Sequence, residues 1–159
     1  METESSCLKI EHIARSHSFT LILYHVVLVA KYRRQVLTEE VQKTFTQSCL
    51  DLQDSYDYIF HEIWMEGDHV HFLLQSIPWL SPAEIVQTIK SITTKAVLRV
   101  HPEIIHIIRK RQLWTSAYYL STVWMHWNQD TIKRYIQNQG KPQEYKRLHI
   151  SENQLQMTF

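Results

Sequence analysis

Residues 65–76 read Met65-Glu66-Gly67-Asp68-His69-Val70-His71-Phe72-Leu73-Leu74-Gln75-Ser76. Glu66-Gly67-Asp68 has the composition of a tight turn. Before it, residues 56–65 are rich in Tyr, Ile, Phe and Trp, the side chains that suit a pleated, half-buried surface. After it, residues 69–76 read as a further strand. Side chains alternate along a strand, so His69 and His71 project to one side while Val70 and Phe72 point into a core.

Working outward, residues 18–31 alternate as well. Phe19, Leu21, Leu23, His25, Val27 and Val29 fall on one face, and Ile22, Tyr24, Val26 and Leu28 on the other. Both faces are largely apolar, as in a strand covered on two sides. Between the first two strands, Thr38 stands where a helix cap belongs, ahead of Val41, Phe45, Cys49 and Leu52 at helical spacing. Ser81-Pro82-Ala83-Glu84 is a capping box with proline at the first helical position. The helix it opens is expected to bury Ile85, Ile89, Ile92 and Ala96 and to end at His101-Pro102. Residues 117–124 read as a fourth strand, and Asn128 opens a last helix that Gly140 ends. The order is β-α-β-β-α-β with one extra helix. It predicts an α+β, ferredoxin-like antiparallel sheet with helices packed on it and an extra C-terminal helix.

Nothing in the composition divides the chain. Its 159 residues, 44% hydrophobic and 21% charged, fit one globular domain. The expected organisation is a loose segment 1–17, a single domain 18–141 and a tail 142–159. Cys7 and Cys49 have no CxxC partner, which argues against a disulfide framework or zinc knuckle. The most apolar run, Phe19 to Ala30, is too short to span a bilayer, and no signal-peptide layout is present, so a cytoplasmic protein is expected. A formal charge of +1 does not announce a nucleic-acid partner. Two local basic clusters, Lys31-Tyr32-Arg33-Arg34 and Arg109-Lys110-Arg111, matter more than the sum.

Two imidazoles a strand pitch apart can chelate a divalent ion, or can simply sit on a half-exposed strand. Tyr135 and Gln139 lie at i and i+4, on one face of the expected last helix, where a plain surface pair is the alternative. Together the motifs answer one chemical need. Cleaving a phosphodiester through a covalent intermediate takes a nucleophile and a cation to offset charge on the phosphate.

The stretches Tyr24-His25-Val26-Val27-Leu28-Val29-Ala30-Lys31-Tyr32-Arg33-Arg34, Asp68-His69-Val70-His71, Leu113-Trp114-Thr115-Ser116 and Ile132-Lys133-Arg134-Tyr135-Ile136-Gln137-Asn138-Gln139 resemble the HUH single-tyrosine transposases of the IS-two-hundred/IS-six-hundred-and-five type, in family order. The resemblance implies that His69 and His71 are metal ligands, that Gln139 completes the site for Mg²⁺ or Mn²⁺, and that Tyr135 is the nucleophile. It implies a homodimer acting on single-stranded DNA beside hairpin ends, through a 5′-phosphotyrosine intermediate, with no small-molecule cofactor and no membrane. The family's usual glycine before the tyrosine helix is missing from Val123-Trp124-Met125-His126-Trp127-Asn128, which bears on how that helix could swing. Lys31, Tyr32, Arg33 and Arg34 are candidate DNA contacts, as are Lys90, Lys95 and Arg99. A first strand with an open apolar edge would pair with its twin in a dimer. The alternative reading is a non-catalytic or domesticated nucleic-acid-binding protein on the same fold, acting on DNA hairpins. A further rival is a metal phosphohydrolase that uses water.

Overall fold

The computed structural model describes residues 10–123. The chain divides into two compact units, Met1–Trp124 and Met125–Phe159, and every described residue belongs to the first. That division falls inside the span 18–141 expected to be a single domain. The expected tyrosine helix, with Tyr135 and Gln139, lies outside the described residues.

Among the described residues the strands and α-helices of this unit are β1 (Ile13–Arg15), β2 (Ser18–Thr20), β3 (Ile22–Val29), α1 (Glu39–Ser55), β4 (Ile59–Glu66), β5 (His69–Ser76), α2 (Pro82–Val100) and β6 (Tyr119–Thr122). The order β4-β5-β3-β6, with every pairing antiparallel, is the ferredoxin-like sheet that the element order predicts. Two expectations change at the N-terminus. Residues 13–15 are not loose: β1 pairs with β2 in a small hairpin of its own. The expected strand 18–31 is therefore two strands, and only Ile22–Val29 enters the main sheet. That strand lies between β5 and β6, so it offers no open edge to a twin. Among the described residues the sheet edges are β4 and β6.

Cross-strand register explains the layering. Val26 faces Phe72, which faces Ile63; Leu28 faces Val70, which faces Met65. Partners directly opposite share a face, so these side chains form one apolar layer under the helices. From α1 it receives Val41, Phe45, Cys49 and Leu52, and from α2 Ile85, Val86, Ile89 and Val97. The buried stripe of α2 runs through Thr93 and Val97, leaving Ile92 and Ala96 half-buried. Ser81 and Glu84 make both bonds of the capping box. Thr38 occupies the cap position of α1, but its hydroxyl makes no capping bond.

Thr93 is a polar residue in a dry layer because it has a task there. Its hydroxyl donates to the Ile89 carbonyl and accepts the indole N–H of Trp114 at 3.0 Å. Trp114 packs edge-on against Phe45 with ring centroids 5.5 Å apart. Thr93→Val should orphan the buried indole donor and lower stability by about 1–3 kcal/mol, read from urea midpoints. With Trp114→Phe also present, the added cost of Thr93→Val should shrink towards zero; full additivity would show that the bond contributes nothing.

Candidate metal and nucleic-acid site

The other face of the sheet carries the candidate chemistry. His71 lies between Val27 and Trp64 in register, and His69 between Val29 and Glu66. The two imidazole centroids are 5.0 Å apart, so the HxH pattern does bring both rings together on one side. The sheet adds a third ring that the motif alone did not single out. Nε2 of His25 lies 3.2 Å from Nδ1 of His71, with the rings stacked. Burial pushes the His25 pKa down to about 4. Burial first, then the neighbouring His25 and His69, pushes that of His71 down to about 3. Both are neutral imidazoles near pH 7, the form that ligates metals.

Each candidate ligand is oriented through its Nδ1. That of His69 is 2.6 Å from Asp68 Oδ1. On the same carboxyl group, Asp68 Oδ2 accepts from Nε of Arg33 at 2.9 Å. Burial opposes charge on Asp68, but the bonds from His69 and Arg33, with the Arg33 charge, outweigh it and hold the carboxyl below its ordinary range. The Nε2 atoms are then the free positions. Nε2 of His71 is buried and has no hydrogen-bond partner. Nε2 of His69 lies 3.6 Å from the Glu66 carboxylate, beyond hydrogen-bond length. Among the described residues, no group of three His, Cys, Asp or Glu side chains is arranged to hold an ion.

Beside Asp68 the backbone turns sharply. Tyr32 and Arg33 have φ of 59° and 51°, and Lys110 and Arg111 have φ of 60° and 52°. Left-handed backbone costs roughly 1–2 kcal/mol per non-glycine residue. Ala30 and Trp114 form an antiparallel bridge, and the Lys31 amide donates to the Leu113 carbonyl at 2.8 Å. The two strained turns leave the same end of that bridge. An open groove of about 680 Å³ is lined by Tyr32, Arg33, Arg34, Gln35 and Ile107.

Comparison with known proteins settles the family. The family model described as Transposase IS200 like matches residues 18–139. This chain belongs to the IS200-like transposase family. The ISDra2 transposase TnpA of Deinococcus radiodurans is 28% identical over 118 residues, covering 73% of this chain and 82% of that protein. The transposase for insertion sequence element IS200 of Salmonella typhimurium is 27% identical over 116 residues, covering 73% and 75%. The crystal structure of a candidate transposase from Deinococcus radiodurans R1 superimposes with a TM-score of 0.64 at 25% identity, over 80% of this chain and 96% of that one. Membership makes the chain a transposase, an enzyme that cleaves and rejoins DNA.

Within this family framework the candidate DNA contacts separate. Tyr32, Arg33 and Arg34 are exposed at the groove, and Lys31 beside them bonds Gln112 Oε1. Lys95 and Arg99 are exposed on α2, in the helix layer and so across the sheet from the imidazoles. Lys90 has a different role from the one expected. Its ammonium donates to the carbonyls of Thr115, Ser116 and Ala117 at 2.9, 2.9 and 3.1 Å, which uses all three protons. It also sits 5.1 Å from the Tyr118 ring centroid. Lys90 is a clamp on the approach to β6, and Trp114 is a core residue. No helix among the described residues is long and apolar enough to cross a membrane.

Lys90→Met keeps the aliphatic stem and removes the donors. We expect it to cost about 1–3 kcal/mol in urea unfolding while leaving the affinity for DNA within about twofold. A large loss of DNA affinity at unchanged stability would return Lys90 to the contact surface.

Proposed function

We propose that this transposase cleaves and rejoins single-stranded DNA at insertion-sequence ends, with Tyr135 as nucleophile and Mg²⁺ or Mn²⁺ held by His69, His71 and Gln139. The observation that carries the reading is the pair of oriented imidazoles. Each has Nδ1 engaged by a neighbour, and Nε2 of His71 is buried without a partner. An unsatisfied buried nitrogen costs about 1–3 kcal/mol, and a cation is a partner that would remove that cost. The residues fit such an ion: two neutral nitrogens and one amide oxygen leave its positive charge undiminished, with positions open for phosphate oxygens. When bound, the ion would polarise the scissile phosphate and favour the phenolate.

The protein's own groups supply the rest. Lys31, Tyr32, Arg33 and Arg34 meet the sugar-phosphate backbone and set its position. Tyr135 and Gln139, one helical turn apart by sequence spacing, approach the same phosphate together. The Tyr135 oxygen bonds to phosphorus as the 3′ oxygen leaves, giving a 5′-phosphotyrosine and a free 3′ hydroxyl. The reverse attack rejoins strands with no external energy source. We further propose a two-fold homodimer. Its supporting feature is no longer the first strand but the eight-residue β4, which is a sheet edge among the described residues. Sedimentation at micromolar concentration should show a species heavier than 19.1 kDa; a monomer alone at that concentration would remove the dimer from the reading.

Purified protein incubated with single-stranded DNA and Mn²⁺ should yield an adduct that survives denaturation. Tyr135→Phe removes one oxygen, so binding should persist while adduct and cleavage fall to background. His71→Ala should likewise abolish cleavage, with DNA binding largely kept. Peptide mapping decides the nucleophile: DNA found on any other tyrosine overturns the assignment.

A further inference from the structure

Val27 lies opposite His71, so alternate residues of β3 share the face of the candidate ligands, and there they read Leu23, His25, Val27 and Val29. His25 is the polar member of that row, and it is only 1% exposed. An imidazole buried among aliphatic side chains costs free energy that a leucine or valine would not, unless its nitrogens are bonded. Its strand also holds it firmly. β3 is paired along both edges, with His25 opposite Leu73 on β5 and Ser121 on β6. Tyr119 meets the ring edge-on, with centroids 5.9 Å apart.

The contact with His71 gives this buried imidazole a task. Its Nε2 stands 3.2 Å from Nδ1 of His71, and the two ring planes differ by 8°. Donor hydrogen and acceptor lone pair both lie in the ring plane, so nearly parallel rings allow them to meet. Which ring donates follows from what lies beyond the pair. Were His25 the donor, His71 would accept at Nδ1 and carry its own proton on Nε2. That Nε2 is buried without a hydrogen-bond partner, so the proton would be an orphaned donor where a cation has to approach. With His71 as donor, its Nε2 presents a lone pair instead. His69 has the same nitrogen engaged by a different acceptor, Asp68 Oδ1 at 2.6 Å.

We propose that His25 is a positioning residue: its Nε2 accepts the Nδ1 proton of His71 and fixes the tautomer that leaves Nε2 of His71 open to the ion. The inference rests on the reading of His69 and His71 as metal ligands and deepens it. His25 acts through His71, because its bonded nitrogen faces that ring and not the open position. The three imidazoles of the sheet therefore divide into two ligands and one support. A histidine here does what a carboxylate does for many metal-binding histidines, but it brings no negative charge beside the incoming phosphate.

The test begins with the metal-free full chain, labelled with ¹⁵N-histidine, at pH 7.5. Two-bond ¹H–¹⁵N spectra read the tautomer of each ring, and the His71 signals are identified by their loss in His71→Gln. His71 should carry its proton on Nδ1, with a nitrogen–nitrogen coupling across the hydrogen bond to Nε2 of His25. His25→Phe keeps a planar ring and removes the acceptor. The coupling should vanish, the His71 proton should move towards Nε2, and Mn²⁺ affinity, read from the free-ion electron paramagnetic resonance signal, should fall about 10–100-fold. His25→Gln returns an acceptor oxygen at similar reach and should restore the tautomer and most of the affinity. A parent His71 protonated on Nε2 overturns the proposal, and this measurement stands even if His25→Phe does not fold. So does a folded His25→Phe that keeps the parent tautomer, whatever its affinity, since any loss would then come from packing. A parent with the expected tautomer and coupling that takes up no Mn²⁺ sinks the metal reading and leaves the role of His25 towards His71 in place.

Discussion

Strand β5 must satisfy two demands at once, and the rest of the described unit follows from how it does so. Val70, Phe72 and Leu74 point into a layer shared with both helices, while His69, His71 and Gln75 point to the opposite side. The strand is paired along both edges, so its register cannot slip by one residue without placing imidazoles in the helix-packed core. A buried imidazole without a partner there would cost more than any single strand pairing returns. The apolar half of β5 therefore specifies where the histidines stand. The precision of the candidate site is a consequence of core packing, not of the histidines themselves.

The same constraint decides which parts of the molecule were legible in the sequence. Alternation at residues 69–76 and the capping box at Ser81 each depend on neighbours a few residues away, and both are found as expected. What the sequence did not show depends on contacts across long separations. His25 was visible only as one member of an alternating face; its pairing with His71 spans 46 positions and needs the β3–β5 register. Asp68 reads as a turn residue, and nothing local says that Arg33, 35 positions away, will hold its second oxygen. Lys90 on an exposed-looking helical position gives no hint that three carbonyls from a later loop will enclose it. The β1–β2 hairpin was missed because its strands are three residues long, too short for a periodic signal.

The strained turns carry a related lesson about local rules. Propensity would place glycine or asparagine at each left-handed position, yet Tyr32, Arg33, Lys110 and Arg111 stand there. The sequence breaks a local preference at two adjoining places, both basic, and the first of them carries the proposed DNA contacts Tyr32 and Arg33. The bridge between Ala30 and Trp114 is what makes such strain tolerable. Its hydrogen bonds fix one chain just before its turn and the other just after, and Trp114 is itself anchored by Thr93 and Phe45 in the core.

Anchorage of this kind matters for chemistry because an imidazole ring has two nitrogens and only one can face a ligand. For His71 to offer the lone pair of Nε2, its Nδ1 must carry the proton and donate it to Nε2 of His25. His25 must then be the Nδ1–H tautomer. For His69 the carboxylate of Asp68 selects the same tautomer by accepting from Nδ1. One ring is thus set by a neutral acceptor and the other by an anionic one. The bond from His69, with that from Arg33 on its other oxygen, in turn holds Asp68 in its charged form against the cost of burial. A phosphate that drew Arg33 away would leave Asp68 with His69 as its principal partner and strengthen that bond. One carboxyl group thus joins the groove-lining Arg33 to the imidazole of His69.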